Sequence, residues 1–500
     1  MSFVRPKSRA PAVESLEPRQ LLATVYPEVE PNNTLGSATP AALDSGGAMT
    51  LTGTVSSATS DRDVFRFYAD RTTALDIRIT SSRTGSTLTV SGSSGEILVD
   101  GARSNATLYV GVGKTYFFSL RRTGTETSSY GVFVGTRATY AGPSTTPVPD
   151  VLRWRMTKGV NIPAWFWNLP GGDPTSRMAS YVTQTDVNRL KSLGVRHVRL
   201  PVETNYFADW SNPGTLKTTY LGPLKNAIDL MLRNDIAVIV SPFGDYNSRT
   251  LSQPNNAVVF MRAFAKWLSQ FDPAKLVIQT ANEPDGTPAT WFYTQARVID
   301  AIRSQAPSHT ILTATTLQYG PGVYGTVEAI TQSPPYADKN VLYGFHFYEP
   351  FPFTHQGAFW AFPGYGNLYA LPYPSTPTNV KWIVDDLSKK GLWTLANQVR
   401  AYGAEYWSAA KVKSRIQQVA NWASRNNVAV MADEFGVFAD GGVVASNRDA
   451  YLRDVRTALE SLNFGWNMWD FADGFGLFAG STPSTRYVRQ STAQALGLFV

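Results

Sequence analysis

From Val151 to the C-terminus, short apolar runs alternate with stretches of helical periodicity. Eight runs stand out: Gly159–Ile162, Val195–Leu200, Ala237–Val240, Leu276–Ala281, Thr310–Ala314, Val341–Phe347, Val428–Ala432 and Gly465–Phe471. Several are nearly all apolar, as parallel strands covered on both faces must be. Between them Phe260, Phe264, Trp267, Leu268 and Phe271 fall on one helical face, as do Val412, Ile416, Val419, Ala420 and Ala423. Leu452, Val455, Leu459 and Leu462 form a third stripe, and Thr183-x-x-Asp186 has the pattern of a capping box. Eight βα units predict an α/β chain folded as a (β/α)8 barrel, whose eight strands and helices take about 250 residues. The surplus falls mainly between Glu349 and Ala409, a Pro- and aromatic-rich insertion after the sixth strand.

Residues 26–138 follow a different rhythm. Leu51–Val55, Val64–Tyr68, Leu75–Ile79, Leu88–Val90, Ile97–Val99, Thr107–Val110, Tyr116–Leu120 and Tyr130–Val134 are short β-rich runs separated by Gly and Ser turns. They predict a small all-β sandwich. Residues 139–150, rich in Pro and small polar side chains, read as an extended linker with nothing to bury. Residues 1–25 are basic and carry too short an apolar patch for an ordinary secretory signal. The predicted organisation is therefore segment 1–25, sandwich 26–138, linker 139–150 and barrel 151–500.

Composition sharpens that division. All 13 Trp lie from Trp154 onward, so the two regions differ in what they are built to bury. The chain lacks Cys, which excludes disulfide scaffolds, thiolate metal sites and cysteine nucleophiles. Its 45 Lys/Arg against 38 Asp/Glu are spread evenly, so the charge of +7 makes no nucleic-acid footprint. No apolar run approaches the roughly 20 residues that span a bilayer.

In a (β/α)8 barrel the chemistry sits where strands end. Arg199 closes the second run, Asn282-Glu283-Pro284 the fourth, and His346-Phe347-Tyr348 the sixth. Asp433-Glu434-Phe435-Gly436 closes the seventh, and the eighth carries Trp469. Two glutamates facing one mouth are what glycoside hydrolysis needs: one carboxyl to protonate the leaving oxygen, one carboxylate to attack or to activate water. A single strand-end Glu more often forms a salt bridge. Trp165, Trp167, Trp210, Trp360 and Phe362 fall in segments expected at the same mouth, where flat rings suit stacked sugars. His197 and His309 read as surface or strand-flanking residues, and His355, inside the insertion, is open to either reading.

These segments resemble glycoside hydrolase family 5, a cellulase family of retaining enzymes. The matching stretches are LVIQTA-Asn282-Glu283-Pro284, GVRHVRLPVE around Arg199, YGFHFYEPFPFTHQG around His346 and Tyr348, VAVMAD-Glu434-Phe435-Gly436, and GWNMWDFADGFGLF around Trp469. The resemblance implies Glu283 as acid/base and Glu434 as nucleophile. It further implies Asn282 on the sugar 2-hydroxyl, Arg199 and Tyr348 holding Glu434 ionised, His346 beside the cleavage point, and Trp469 as a sugar platform. Many family members carry a His at the end of strand three, where this chain reads Ser241-Pro242-Phe243-Gly244-Asp245.

The N-terminal region resembles two further sequences. Glu30-Pro31-Asn32-Asn33-Thr34 and Asp61-Arg62-Asp63 are similar to the bacterial pre-peptidase C-terminal module; the Asp pair could hold Ca²⁺ but reads better as turn-shaping. Leu16-Glu17-Pro18-Arg19-Gln20-Leu21-Leu22 resembles the Leu-Glu-Pro-Arg-x-Leu-Leu motif of some exported bacterial proteins. The expectation is an extracellular or cell-surface bacterial glycosidase, monomeric and cofactor-free, with no metal. It would act on a β-1,4-glucan, bind no nucleic acid and have no membrane span. A β-mannanase, an exo-β-glucosidase and a non-catalytic carbohydrate-binding protein are the alternatives.

Overall fold

The computed structural model describes residues 24–44, 47–56, 61–70, 73–81, 86–102, 105–122, 126–136, 143–169, 173–320, 323–480 and 482–499. The Leu16–Leu22 motif lies outside them. The chain divides into two compact units, 1–139 and 140–500. No helix among the described residues is long and apolar enough to cross a membrane.

In the first unit, two five-stranded sheets form a sandwich. One sheet runs Thr24–Pro27, Ala48–Val55, Ser128–Thr136, Thr73–Ser81, Asn105–Val110, and the other Thr39–Ala41, Asp63–Tyr68, Thr115–Arg122, Ser86–Gly92, Ile97–Ala102. The eight expected runs all lie in strands, and Thr24–Pro27 and Thr39–Ala41 join as short edge strands. Alternating residues such as Leu51, Leu75, Ile77, Val132 and Val134 are buried from one sheet, and Phe65, Phe67, Leu88, Val90 and Phe118 from the other. Phe65 and Tyr130 meet edge-on at 6.5 Å, tying the two layers. The turn reading fails for Asp63, which begins a strand and is fully buried beside Glu28 and Glu30.

The second unit is a closed barrel of eight parallel strands in sequence order: Gly159–Asn161, His197–Glu203, Ala237–Phe243, Leu276–Gln279, Thr310–Leu312, Val341–Phe347, Ala429–Phe435 and Gly465–Met468. Each overlaps its predicted run. The three apolar stripes fall on helices Pro254–Leu268, Ala409–Asn426 and Ala445–Ser461, with Phe271 and Leu462 just past the ends of theirs. The Thr183 hydroxyl accepts from Asp186 N–H while the Asp186 carboxylate accepts from Thr183 N–H, so the capping box is complete. The insertion folds into its own helix pair, Pro377–Lys389 and Trp393–Ala404. Gly403 lets them meet: a Cβ there would stand 2.4 Å from Val380 Cγ2.

The linker reading needs correction at its end. Helix Asp150–Arg155 floors the barrel, with Leu152 and Met156 packed against Ala237, Ile239, Val277, Leu312, Leu342 and Met431. Val148 joins that cluster at 6% exposed, and Lys339 N–H donates to the Ser144 carbonyl at 2.7 Å. Pro and Thr dominate the segment, yet its single Val is core. A fragment beginning at residue 151 is therefore expected to be less stable than one beginning at 143, by roughly 2 kcal/mol for one buried Val and one hydrogen bond. Coincident urea midpoints for the two fragments would refute this.

Candidate active site

Eight parallel strands bring residues distant in sequence to one mouth, and the register decides which side chains face inward. The sixth and seventh strands pair Phe345 with Ala432 and then His346 with Glu434, so Asp433 is one residue too many on its strand. Such a bulge re-aims side chains. Without it Asp433 and Glu434 would point to opposite faces; with it both reach Arg199. Room for Asp433 comes from Gly344, where a Cβ would lie 2.7 Å from its Oδ1 and 2.5 Å from the Thr313 carbonyl oxygen.

Arg199 is the hub, fully buried with every N–H engaged. Nε donates to Gln279 Oε1 at 2.7 Å. Nη1 donates to Asn161 Oδ1 at 2.9 Å and to Glu434 Oε1 at 2.6 Å. Nη2 donates to Ser241 Oγ at 3.1 Å and to Asn282 Oδ1 at 2.8 Å. Five donors in a fixed fork thus orient five groups from four strands and their ends, which a lysine could not do. Gln279 passes the link on, its Nε2 donating to Asp433 Oδ2 at 2.6 Å. Asn161 Nδ2 donates to the Asp433 carbonyl at 3.1 Å. Burial opposes the charge of Asp433, but His346, Arg199 and Gln279 hold its carboxyl below the ordinary range.

The two glutamates stand beside this hub. Glu434, buried, also accepts from the Tyr348 hydroxyl at 2.9 Å. Burial is the largest influence on it and leaves its carboxyl above the ordinary value; His346 and Arg199 pull down, Glu283 and Asp433 push up. Arg199 thus acts in the expected direction, but the cost of desolvation is larger and the net shift is upward. Glu283 is more open, its side chain 26% exposed, with Oε1 2.7 Å from His346 Nδ1. His346 also lies 3.6 Å from Glu434 and 3.4 Å from Asp433. Burial disfavours a charge on His346, but Glu434, Asp433 and the bonds to Asp433 and Glu283 outweigh it and lift its pKa to about 10. Its protonated form is favoured by the carboxyl groups around it. The facing ligand atoms of Glu283, His346 and Glu434 all lie within 4.8 Å of one another.

Trp469 follows the eighth strand, half-buried, with its ring parallel to Phe243 at 6.1 Å and edge-on to Trp167 at 6.1 Å. Phe243 also lies 5.1 Å from the Arg199 guanidinium. At the end of strand three, then, Ser241 serves the hub and Phe243 the aromatic wall. The seven residues singled out from sequence converge here. Asn161, Ser241, Gln279 and Asp433 were missed, although Gln279 and Asp433 are polar interruptions in buried runs. The wider aromatic group splits. Trp165 is core, 2% exposed with Nε1 donating to the Met178 carbonyl, while Trp360 stays 54% exposed.

His197 is corrected from surface to core: it is fully buried at the barrel base, bonded to Asn467 and to the Arg155 carbonyl, with burial lowering its pKa to about 4. His309 flanks its strand but is buried too. His355 joins the site's wall, 5.2 Å from Tyr348 and 6.0 Å from Trp360. The Thr354 hydroxyl has one proton and spends it on the Tyr348 carbonyl at 2.6 Å, so its oxygen accepts from His355 Nδ1 at 2.9 Å. Burial lowers the His355 pKa to about 4, which leaves Nε2 a neutral acceptor.

Two groups among the described residues are compact enough to hold a metal ion. At the barrel mouth the cations Arg199 and His346 already offset the carboxylates. In the first unit, Glu28, Glu30 and Asp63 offer oxygens only, the set hard cations take.

Residues 162–474, more than half of the chain, match the family described as Cellulase (glycosyl hydrolase family 5). Endoglucanase 3 of Fibrobacter succinogenes is 25% identical over 356 residues, 67% of this chain, which spans about half (52%) of that protein's length. Endoglucanase C of Acetivibrio thermocellus is 21% identical over 326 residues, covering 63% of this chain and 90% of its own. A hyperthermophilic endo-β-1,4-glucanase crystallised with substrate shares the fold, with a TM-score of 0.54 and 22% identity over 69% of this chain and 98% of that one. Strand order, the strand-end carboxylates and the family match agree: the chain belongs to glycosyl hydrolase family 5.

Proposed function

We propose that this protein hydrolyses β-1,4-glucan with net retention of anomeric configuration. The observation that carries the reading is the separation of the two glutamates. Their facing oxygens lie within 4.8 Å, and retaining enzymes hold their carboxyl groups about 5–5.5 Å apart whereas inverting ones need about 6.5–9.5 Å for an intervening water. The endoglucanase names of the two relatives support the choice of glucan.

In the first step the Glu434 carboxylate attacks the anomeric carbon as the glycosidic C–O bond breaks. Glu283 gives the leaving oxygen the proton it shares with His346 Nδ1. In the second step Glu283 takes a proton from water, the water oxygen bonds the anomeric carbon, and Glu434 departs as carboxylate. Arg199 and Tyr348 fix the two Glu434 oxygens, so the attacking lone pair is aimed before substrate arrives. Asn282, held by Arg199, presents its amide to the sugar 2-hydroxyl, and Trp469 offers its flat face to the pyranose. His355 Nε2 accepts a sugar hydroxyl beyond Tyr348. We also place residues 1–25 as an export segment, 26–138 as an accessory sandwich and 151–500, with its floor from Ser144, as the catalytic domain of a monomer acting outside the cell.

A panel of β-glucans, β-mannans and xylans tests the reading. Soluble β-1,4-glucan should be cleaved fastest, and NMR should find the β-anomer in the first-formed reducing sugar. Preference for mannan, or an α-anomer formed first, would overturn it.

A further inference from the structure

Beyond the cleft, the insertion presents a second aromatic surface, and a contact path joins the two. It leaves the catalytic centre at Tyr348 and His355 and reaches Trp360, whose ring meets Phe438 at 5.9 Å. Phe438 lies in the loop after the seventh strand. That loop is pressed onto the insertion through two glycines, since a Cβ on Gly357 would stand 2.2 Å from the Gly441 Cα. Gly442, the next residue, is exposed at φ +79° and its carbonyl accepts from Ala370 N–H at 3.1 Å. Tyr369 Cβ lies 3.6 Å from where a Gly442 Cβ would be. At Gly441 and Gly442, between Phe438 and Tyr369, the ribbon carries no side chain.

Tyr369 and Trp382 close the path, their rings T-shaped at 5.8 Å and 38% and 49% exposed. Trp382 sits on helix Pro377–Lys389 away from the stripe of Val380, Ile383, Val384 and Leu387 that the helix buries. Its core role is already filled by that stripe. On the exposed face, Asp386 accepts from the Tyr369 hydroxyl at 3.2 Å and from Lys390 at 2.8 Å, and Lys390 lies 5.7 Å from the Tyr369 ring. A flat apolar face bordered by a fixed carboxylate and ammonium matches a pyranose, which is apolar on its C–H faces and ringed by hydroxyls. A hydrophobic protein partner would strip water from this ion pair without offering it any hydrogen bond, a cost that a hydroxyl-rimmed sugar does not impose.

We propose that Tyr369 and Trp382 form a distal sugar-binding platform that holds the far part of a long β-glucan chain whose scissile bond lies at Glu283 and Glu434. This rests on the functional reading above and adds the chain length it favours: polymers and long oligosaccharides over short ones. One aromatic contact of about 1 kcal/mol corresponds to roughly five-fold in affinity.

Affinity electrophoresis through gels containing soluble β-glucan tests it, in a Glu283→Gln background so that the polymer survives. Trp382→Ala should raise the apparent dissociation constant about five-fold, and Trp382→Phe, which keeps a flat ring, should restore most of the retardation. In otherwise unmodified enzyme, Trp382→Ala should raise KM for the polymer several-fold more than KM for an aryl cellobioside. A circular-dichroism melt matching the parent confirms that the helix pair persists. Equal retardation and an unchanged KM ratio would overturn the platform, as would a parent that no β-glucan gel retards. Hydrolysis of the panel is read separately, so either result leaves the assignment of the reaction to stand or fall alone.

Discussion

Glu434→Ala should lower turnover by about 10⁴-fold or more, the scale on which loss of a covalent nucleophile is felt. Azide should then restore part of the reaction. With the carboxylate removed, the face it occupied is open, and an azide ion there can displace the leaving group in a single step. The product would be a glycosyl azide of inverted configuration, while unmodified enzyme, displacing twice, returns the original one. Glu283→Ala should behave differently. Aryl glycosides with good leaving groups need no proton, so their first step should be largely spared, while ordinary glucan should not be cleaved. The pH profile provides a further check. Glu434 must be ionised to attack, and burial sets its pKa above the ordinary value of 4.5. Activity should therefore fall as pH drops through a value higher than 4.5, with kcat/KM reporting the free enzyme. An acid limb below that value, or azide rescue with retained configuration, would remove Glu434 from the role.

Much of this site was legible because both of its ingredients leave marks in one dimension. Strands covered on both faces must be apolar, so the eight runs were visible, and the polar residues that end them gather at the barrel mouth. The layer beneath was not legible. Asn161, Gln279 and Ser241 accept from Arg199, but a buried guanidinium finds its acceptors on whichever strands stand beside it, and sequence separation says nothing of that. Asp433 was hidden by the bulge, since strict alternation sends it away from the site. His197 could have been placed: two residues before Arg199 on one strand, it must share the same face. Val148 was masked by the Pro-rich segment around it. The Trp165 and Trp360 pair shows the same limit, because nothing local tells a packing Trp from a wall of the cleft.

Arg199→Met should cost about 3–5 kcal/mol of stability and abolish hydrolysis together. The Met fills similar volume, so the loss is not one of packing. What remains is a buried Asp433 and a buried Glu434 with one cation, His346, where there were two. Uncompensated buried charge of that kind costs about 3–5 kcal/mol. The variant can lessen the penalty by taking up a proton, because Glu434 already sits above the ordinary range and would rise further. Two consequences follow from that one proton. The stability deficit should shrink as pH falls, since protonated Glu434 no longer needs a partner, and the nucleophile should be absent at the pH where the parent works best. Arg199→Lys separates charge from geometry. It restores a cation but only three donors from one point, so Asn161, Gln279, Ser241, Glu434 and Asn282 cannot all be met. It should recover much of the stability and little of the rate. Urea melts from acid to neutral pH, with kcat measured on the same samples, decide the case. If Arg199→Lys turned over glucan at the parent's rate, the fork geometry would be irrelevant, and Arg199 would be a counter-charge alone.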